Sequence, residues 1–457
     1  MRTIPVRAAH AIMAISVVAT TVPPATAHRR QAEPVKAPEP RAGLQAIVQQ
    51  RAADVVGIFG GRSDYDGVFA PSFRSAVPKA RFDAIVVEIT GALGKPMGVE
   101  SLTSTGPTTA RVRIGFERGI VALDFALDPA APHQITSLLT RGVEPRAAAE
   151  TSVEAVVATI ATLPGRTNFT LAKLGDGAPA RLAGRESAMP LAIGSAFKLV
   201  ILSELVRSIA AGERRWSDSV TIDGRPLPGG AYTLRAEGVQ VPIRELAERM
   251  ISVSDNSATD ILLHHLGREK VETMLPVVGM TDGGARNVPF LGTLEVFKLK
   301  GIDGGALGAR YLALPPAARR AFLDRDVAAA PVSALPADLF KDGKPIRIDQ
   351  LEWFASADDL VRTMDWLRRH SEGPGGAELR AILSKNAGLP APAAAAWRFV
   401  GYKGGSEPGV LNLTYLLQGK DGAWYALSSG WNDPAAEVDT LRFSGLIARA
   451  AELAAPR

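Results

Sequence analysis

The chain has 457 residues, 46% of them apolar and 22% charged, an ordinary globular composition that excludes a low-complexity or disordered protein. A single hydrophobic core stops growing at about 250–300 residues, so the length calls for more than one domain. The formal net charge of +5 falls to +3 when Arg2 and Arg7 of a removable leader are subtracted, too little for a nucleic-acid-binding surface, and the lack of cysteine excludes disulfides and thiol chemistry.

Residues 1–27 carry a short basic start, an apolar stretch from Ala8 to Val22 and then Ala25-Thr26-Ala27, the pattern of a secretory signal peptide cut near Ala27. A periplasmic or secreted protein is expected. The apolar stretch is too short for a membrane span, and no later one reaches the length needed. Residues 28–43, rich in Pro, Ala and charge, read as a flexible linker.

Over residues 44–141 the pattern is that of a small α+β domain. Apolar spacing predicts helices at 44–59 and 81–93, and β-rich pieces at 97–105, 109–117, 120–127 and 134–139 are separated by turn chemistry. Helices followed by a sheet make a curved-sheet fold of the cystatin- or nuclear-transport-factor-2-like kind, an analogy of fold only. Residues 142–150, with Pro145, form a second linker.

A second domain is expected over residues 151–457. It opens with a helix at 152–163 and a strand at 168–174. Residues 218–241 are a polar, Gly- and Pro-rich excursion. Pro242 suits the first position of a helix whose apolar face is Ile243, Leu246, Ala247, Met250 and Ile251, and Asn256 or Ser257 is the expected cap of the next helix, which ends at Gly267. Residues 281–308 read as loop and 356–369 as helix. Strands at 398–403, 410–417 and 423–429, with a tight turn at 419–422, precede a closing helix at 434–454.

The stretch around which this domain is organised is residues 191–211. Phe197, Leu199, Val200, Ile201, Leu202, Leu205, Val206 and Ile209 point in nearly every direction around a helix axis, so that helix is buried. Ser195 sits in its first turn, with Lys198 beside it on the same face. Burial lowers a lysine's pKa, and a neutral amine next to a hydroxyl is a route to an activated nucleophile. Taken alone, Ser195 is equally an N-cap and Lys198 a solvated first-turn residue.

Context comes from two further clusters, Ser254-Asp255-Asn256 and Lys403-Gly404-Gly405-Ser406. Together with Ser195-Ala196-Phe197-Lys198 they resemble the Ser-x-x-Lys, Ser-Asp-Asn and Lys-Thr-Gly motifs of serine β-lactamases and penicillin-binding proteins, in the same order. The spacing of the first two is closest to class A β-lactamases. The two-domain layout is similar to that of β-lactamase-like proteins of clavulanic acid biosynthesis clusters. The resemblance implies a three-layer domain of the DD-peptidase type, with an antiparallel sheet flanked by helices.

The resemblance also implies roles. Ser195 attacks an acyl carbonyl and Lys198 takes its proton. Ser254 relays a proton to the leaving group, Asn256 binds a substrate amide and Asp255 holds the loop. Lys403 attracts a substrate carboxylate, and the backbone amides of Ser195 and Ser406, next to Gly405, form an oxyanion hole. Tyr232 lies where the family has an aromatic wall beside the substrate.

Two departures stand out. Gly404 replaces the expected Thr or Ser, and Ser406, two residues along on the same strand face, is a substitute hydroxyl. For the deacylating base the nearest candidate is Glu295, yet Leu299 occupies the place of the partner Asn, and Glu295 is equally suited to a salt bridge with Lys298 or Lys300. β-Lactam hydrolysis, ester or D-Ala-D-Ala-type peptide hydrolysis, and a non-catalytic binding site all remain open to this site. The expected partner is a small-molecule substrate. No cofactor is expected, nor a metal, because His264 and His265 lack a His-Glu-x-x-His pattern.

Overall fold

The computed structural model describes residues 41–146 and 148–456. The expected signal peptide and most of the linker after it lie outside those residues. The described chain forms two compact units that divide after Arg146.

In the first unit, helices Arg41–Phe59 and Lys79–Leu93 enclose two short helical turns, Tyr65–Val68 and Pro71–Ala76. Strands β1 (Pro96–Ser104), β2 (Thr109–Phe116), β3 (Ile120–Leu127) and β4 (Ile135–Glu144) then form an antiparallel meander in that order. Register shifts in β1 and in the β3–β4 pairing bend the sheet, as bulges do. Its core is aromatic. Phe69 is fully buried, with the rings of Tyr65, Phe73 and Phe82 at 5.0, 4.4 and 5.1 Å. The helix-then-sheet order follows the sequence, while β4 continues to Glu144, beyond the expected end at 139.

The second unit is built on five long strands, β5 (Arg166–Leu174), β6 (Ala180–Arg185), β11 (Phe399–Glu407), β12 (Val410–Gln418) and β13 (Trp424–Asn432). They form one antiparallel sheet in the order β11-β12-β13-β5-β6. Short pairs β7 (Leu191–Ala192) with β10 (Phe354–Ala355), and β8 (Ser219–Thr221) with β9 (Gln240–Pro242), lie outside it. One face packs on the helices Val153–Ala161 and Thr440–Ala454 through Val156, Ile160, Phe443, Ile447 and Ala450. Another core gathers most of the other helices of this unit around Lys198–Ala210 and reaches the sheet at Ala172, Leu416 and Ala426. These are the three layers expected. β11 is an edge strand, so one side of its backbone has no neighbouring strand in the sheet.

Several local expectations are corrected. Residues 281–308 are not loop: helices Thr293–Gly301 and Ala306–Ala313 occupy most of the second half. The first is capped from a distance, because the Asp260 carboxylate accepts from the amides of Thr293 and Leu294 at 2.8 and 2.9 Å. The helix after Ser254 is capped by Asp255, which accepts from Ala258 N at 2.9 Å, and not by Asn256 or Ser257. Pro242 precedes its helix as N-cap. The closing helix begins at Thr440, after the Asp439 cap. Strand β6 has no apolar signature, as its side chains are mostly exposed.

Candidate active site

Ser195 lies on a 3-10 turn, Gly194–Phe197, that runs straight into the helix Lys198–Ala210. The turn is fixed from three sides. Asn432 at the end of β13 accepts from Ala192 N at 2.7 Å and donates to Ala192 O at 3.0 Å. Ile193 N donates to Trp353 O at 2.9 Å. Phe197 stacks on Trp353 with ring centroids 3.7 Å apart. Gly194 has φ +47°, and a side chain there would begin 2.8 Å from Ser406 N, so both conformation and space require glycine.

Lys198 is fully buried. Its Nζ donates to Ser254 O at 2.7 Å, Ser254 Oγ at 3.1 Å and Asn256 Oδ1 at 2.7 Å. Burial brings its pKa down to about 7, against the opposing pull of Asp260 and Asp255. Neither of those carboxylates is a hydrogen-bond partner of Lys198 among the described residues. Ser195 Oγ has no side-chain hydrogen bond to Lys198, so three oxygens from the Ser254–Asn256 segment orient the amine one turn from the hydroxyl.

Ser254 adopts φ +58°, which costs a non-glycine residue about 1 kcal/mol. The surroundings over-determine it. Asp255 accepts from Ser257 Oγ at 2.6 Å, Ala258 N at 2.9 Å and Ala231 N at 2.8 Å. Burial alone would raise the Asp255 pKa, but these hydrogen bonds outweigh it and hold the carboxylate below its usual value. The loop before the helix is thereby tied to residues 231–232, where Tyr232 N also donates to Ser257 Oγ at 3.0 Å.

Edge strand β11 supplies the third wall. Lys403 is buried and donates to Ser254 Oγ at 3.1 Å and to Gly404 O. Burial and then the Lys198 charge push its pKa well below the usual lysine value. Ser254 Oγ therefore takes a hydrogen bond from each lysine, which leaves its own proton to point elsewhere. A side chain at Gly405 would start 2.4 Å from Ser195 N and 2.0 Å from Ile193 O. The strand thus lies directly against the Ser195 turn, and the amides of Ser195 and Ser406 come to the same spot. Ser406 is exposed.

Ser195, Lys198, Ser254, Asn256, Lys403, Gly405 and Ser406 are therefore brought together. Two other candidates are placed in different work. Glu295 accepts from Arg268 at 2.6 and 3.0 Å and from Gly292 N at 2.7 Å, so it caps its own helix and pairs with Arg268, not with Lys298 or Lys300. Those lysines reach Val327 O at 2.9 Å and Glu352 at 2.8 Å. Tyr232 is buried, and its hydroxyl donates to Glu245 at 2.6 Å. Sequence reasoning missed Trp353 and Asn432, which hold the Ser195 turn from remote positions.

The β-lactamase enzyme family matches residues 149–386, more than half of the chain, and this chain belongs to that family. The matched span holds the first two motifs and ends before β11. No curated protein matches. Solved structures similar to the chain include a β-lactamase from Sphaerobacter thermophilus, at 20% identity over 65% of this chain and 94% of that one, with a TM-score of 0.43. A β-lactamase from Xanthomonas campestris pv. campestris has 20% identity over 66% and 95%, TM-score 0.42, and a mutant of PBP-A, as its acyl-enzyme complex with penicillin G, has 14% over 66% and 93%, TM-score 0.44. Family membership makes the second unit a β-lactamase-like serine hydrolase domain acting on small molecules. Among the described residues no helix is long and apolar enough to cross a membrane.

Proposed function

We propose that this protein is an exported serine hydrolase that opens β-lactams through a covalent acyl-enzyme on Ser195, and that releases the product slowly. The observation that carries this reading is the buried Lys198, with a pKa near 7, held by Ser254 and Asn256 one turn from Ser195.

On losing its proton Lys198 keeps two of its three hydrogen-bond donations and frees a lone pair, which accepts the Ser195 proton as Oγ bonds to the lactam carbonyl carbon. Negative charge then develops on the carbonyl oxygen, between the amides of Ser195 and Ser406, and two such preorganised donors are worth about 3 kcal/mol each. Ser254, with both lysines donating to its oxygen, gives its proton to the ring nitrogen and recovers one from Lys198. The C–N bond breaks and the acyl group stays on Ser195. An ester follows the same path with oxygen as leaving atom.

Release needs a base to activate water. Glu295, the carboxylate expected for that step, is engaged by Arg268 and by its own helix N-terminus, which favours a long-lived acyl-enzyme over rapid turnover. Exposure of the purified chain to benzylpenicillin, with peptide mapping by mass spectrometry, tests the reading. One penicilloyl group on Ser195 is expected, and labelling elsewhere, or equal labelling of Ser195→Ala, refutes it.

A further inference from the structure

Three buried ionisable groups next to the Ser195 turn take no part in the chemistry above. Lys300, at the end of the helix Thr293–Gly301, has a fully buried side chain whose amine donates to Glu352 Oε1 at 2.8 Å and to Glu407 Oε1. The side chains of Glu352 and Glu407 are only 2% and 10% exposed, so the three groups depend on one another for partners. Burial works against the Lys300 charge, but the two carboxyls beside it hold its pKa above the usual lysine value. Burial and then the Glu352 charge push the Glu407 pKa well above the usual carboxylate range, against the pull of Lys300. Both directions favour a Lys300–Glu352 ion pair with Glu407 as a neutral acid beside it.

The cluster joins segments that border the site. Glu407 ends β11, next to Ser406 and on the same strand face as Lys403 and Gly405. That end of the strand meets the Ser195 turn closely: a side chain at Gly194 would begin 2.8 Å from Ser406 N, and one at Gly405 would begin 2.4 Å from Ser195 N. Glu352 precedes Trp353, whose O accepts from Ile193 N at 2.9 Å and whose ring stacks on Phe197. Trp353 N donates in turn to Glu352 Oε2 at 3.3 Å. Lys300 therefore bridges the two segments between which the Ser195 turn is seated. β11 is an edge strand, so the sheet alone does not fix how closely it approaches the turn. Replacing a buried ion cluster by apolar side chains often costs little stability, so a positional role is separable from a structural one.

We propose that Lys300 is a positioning residue for acylation: by holding Glu407 and Glu352 together, it sets the amides of Ser406 and Ser195 at the spacing that receives the carbonyl oxygen. It acts through β11 and Trp353, and not on the substrate. This rests on the acyl-enzyme reading above.

The test is the double variant Lys300→Met with Glu407→Leu, which removes both groups together, with urea denaturation to check folding. Its reaction with benzylpenicillin is followed by intact-mass spectrometry over a range of concentrations, which separates the first-order acylation constant from the dissociation constant of the preceding complex. Loss of alignment is expected to lower the acylation constant about 10- to 100-fold and to move the dissociation constant less than about threefold. Glu407→Gln, which keeps an acceptor for Lys300 in the shape of the neutral acid, is expected to recover the acylation constant to within about threefold of the unaltered chain. If the double variant does not fold, Glu407→Leu alone is read by the same criteria. An acylation constant unchanged in the folded variant, or a loss confined to binding, overturns the proposal, as does a Glu407→Gln chain equally slow. If benzylpenicillin does not acylate the unaltered chain, the acyl-enzyme reading fails, and amide hydrogen exchange of the same variants decides the positioning. Faster exchange in peptides covering residues 193–197 and 404–408, with β5 unchanged, then supports it. Equal exchange, or faster exchange throughout, overturns it.

Discussion

Two neighbouring regions of the second unit treat buried charge in opposite ways. Around Ser195, the amines of Lys198 and Lys403 meet only hydroxyl, amide and carbonyl oxygens, and burial holds both pKa values down. Around Thr293–Gly301 most charges meet an opposite charge or a helix end: Glu295 pairs with Arg268, Asp260 accepts from two amides, and Lys300 is shared by Glu352 and Glu407, while Lys298 donates to the carbonyls of Val327 and Ala328. Unneutralised amines stay reactive, whereas matched charges only hold structure. The first region is equipped for acylation, whereas in the second Glu295, the carboxylate expected to drive release, is tied to Arg268 and to its own helix N-terminus.

The strongest way to break this contrast is to remove the reactive amine. Lys198→Ala is expected to slow penicillin acylation on the order of 10³-fold, within the range of general-base losses, measured by quenched mass spectrometry. In the unaltered chain the acylation rate rises with pH through about 7, as Lys198 loses its proton. The same depressed pKa makes the unfolded chain bind the extra proton between about 7 and 10.5, so folding stability increases with pH across that window. An acylation rate that is flat from pH 6 to 8 contradicts the assignment of Lys198 as base.

Next in size, Gly405→Ala drives a methyl against Ser195 N and Ile193 O. Displacement of that amide is expected to lower acylation about 100-fold, read from the same mass assay. Asp255→Ala removes a helix cap and the hydrogen bonds to Ala231 and Ser257, and urea denaturation is expected to show a loss of about 2–4 kcal/mol. At Ser254, where φ is +58°, glycine is expected to be more stable than alanine by about 1 kcal/mol in the same assay, with acylation slow in both. The smallest effect sharpens the contrast from the other side: Glu295→Gln weakens the Arg268 pair by about 1 kcal/mol in urea denaturation, and changes the acyl-enzyme lifetime less than about twofold.

Much of the acylating region was legible because its information is local. The all-apolar run after Ser195 announced a buried helix, and three short motifs in order named the residues that meet. What escaped was remote. The cap on Thr293–Gly301 comes from Asp260, 33 residues away in the chain, so glycine-rich surroundings read as loop. Trp353 and Asn432 act on the Ser195 turn through backbone contacts that leave no periodicity. The partner of Glu295 was sought at helical spacing among Lys298 and Lys300, whereas Arg268 reaches it from a different helix.

The most direct test of the contrast is the time course of benzylpenicillin on the full chain, with adduct mass and released penicilloate followed together. The account predicts one equivalent of adduct on Ser195 formed in a burst and then a release many times slower. Steady turnover without an accumulating adduct would contradict it, because a base for deacylation would then be present.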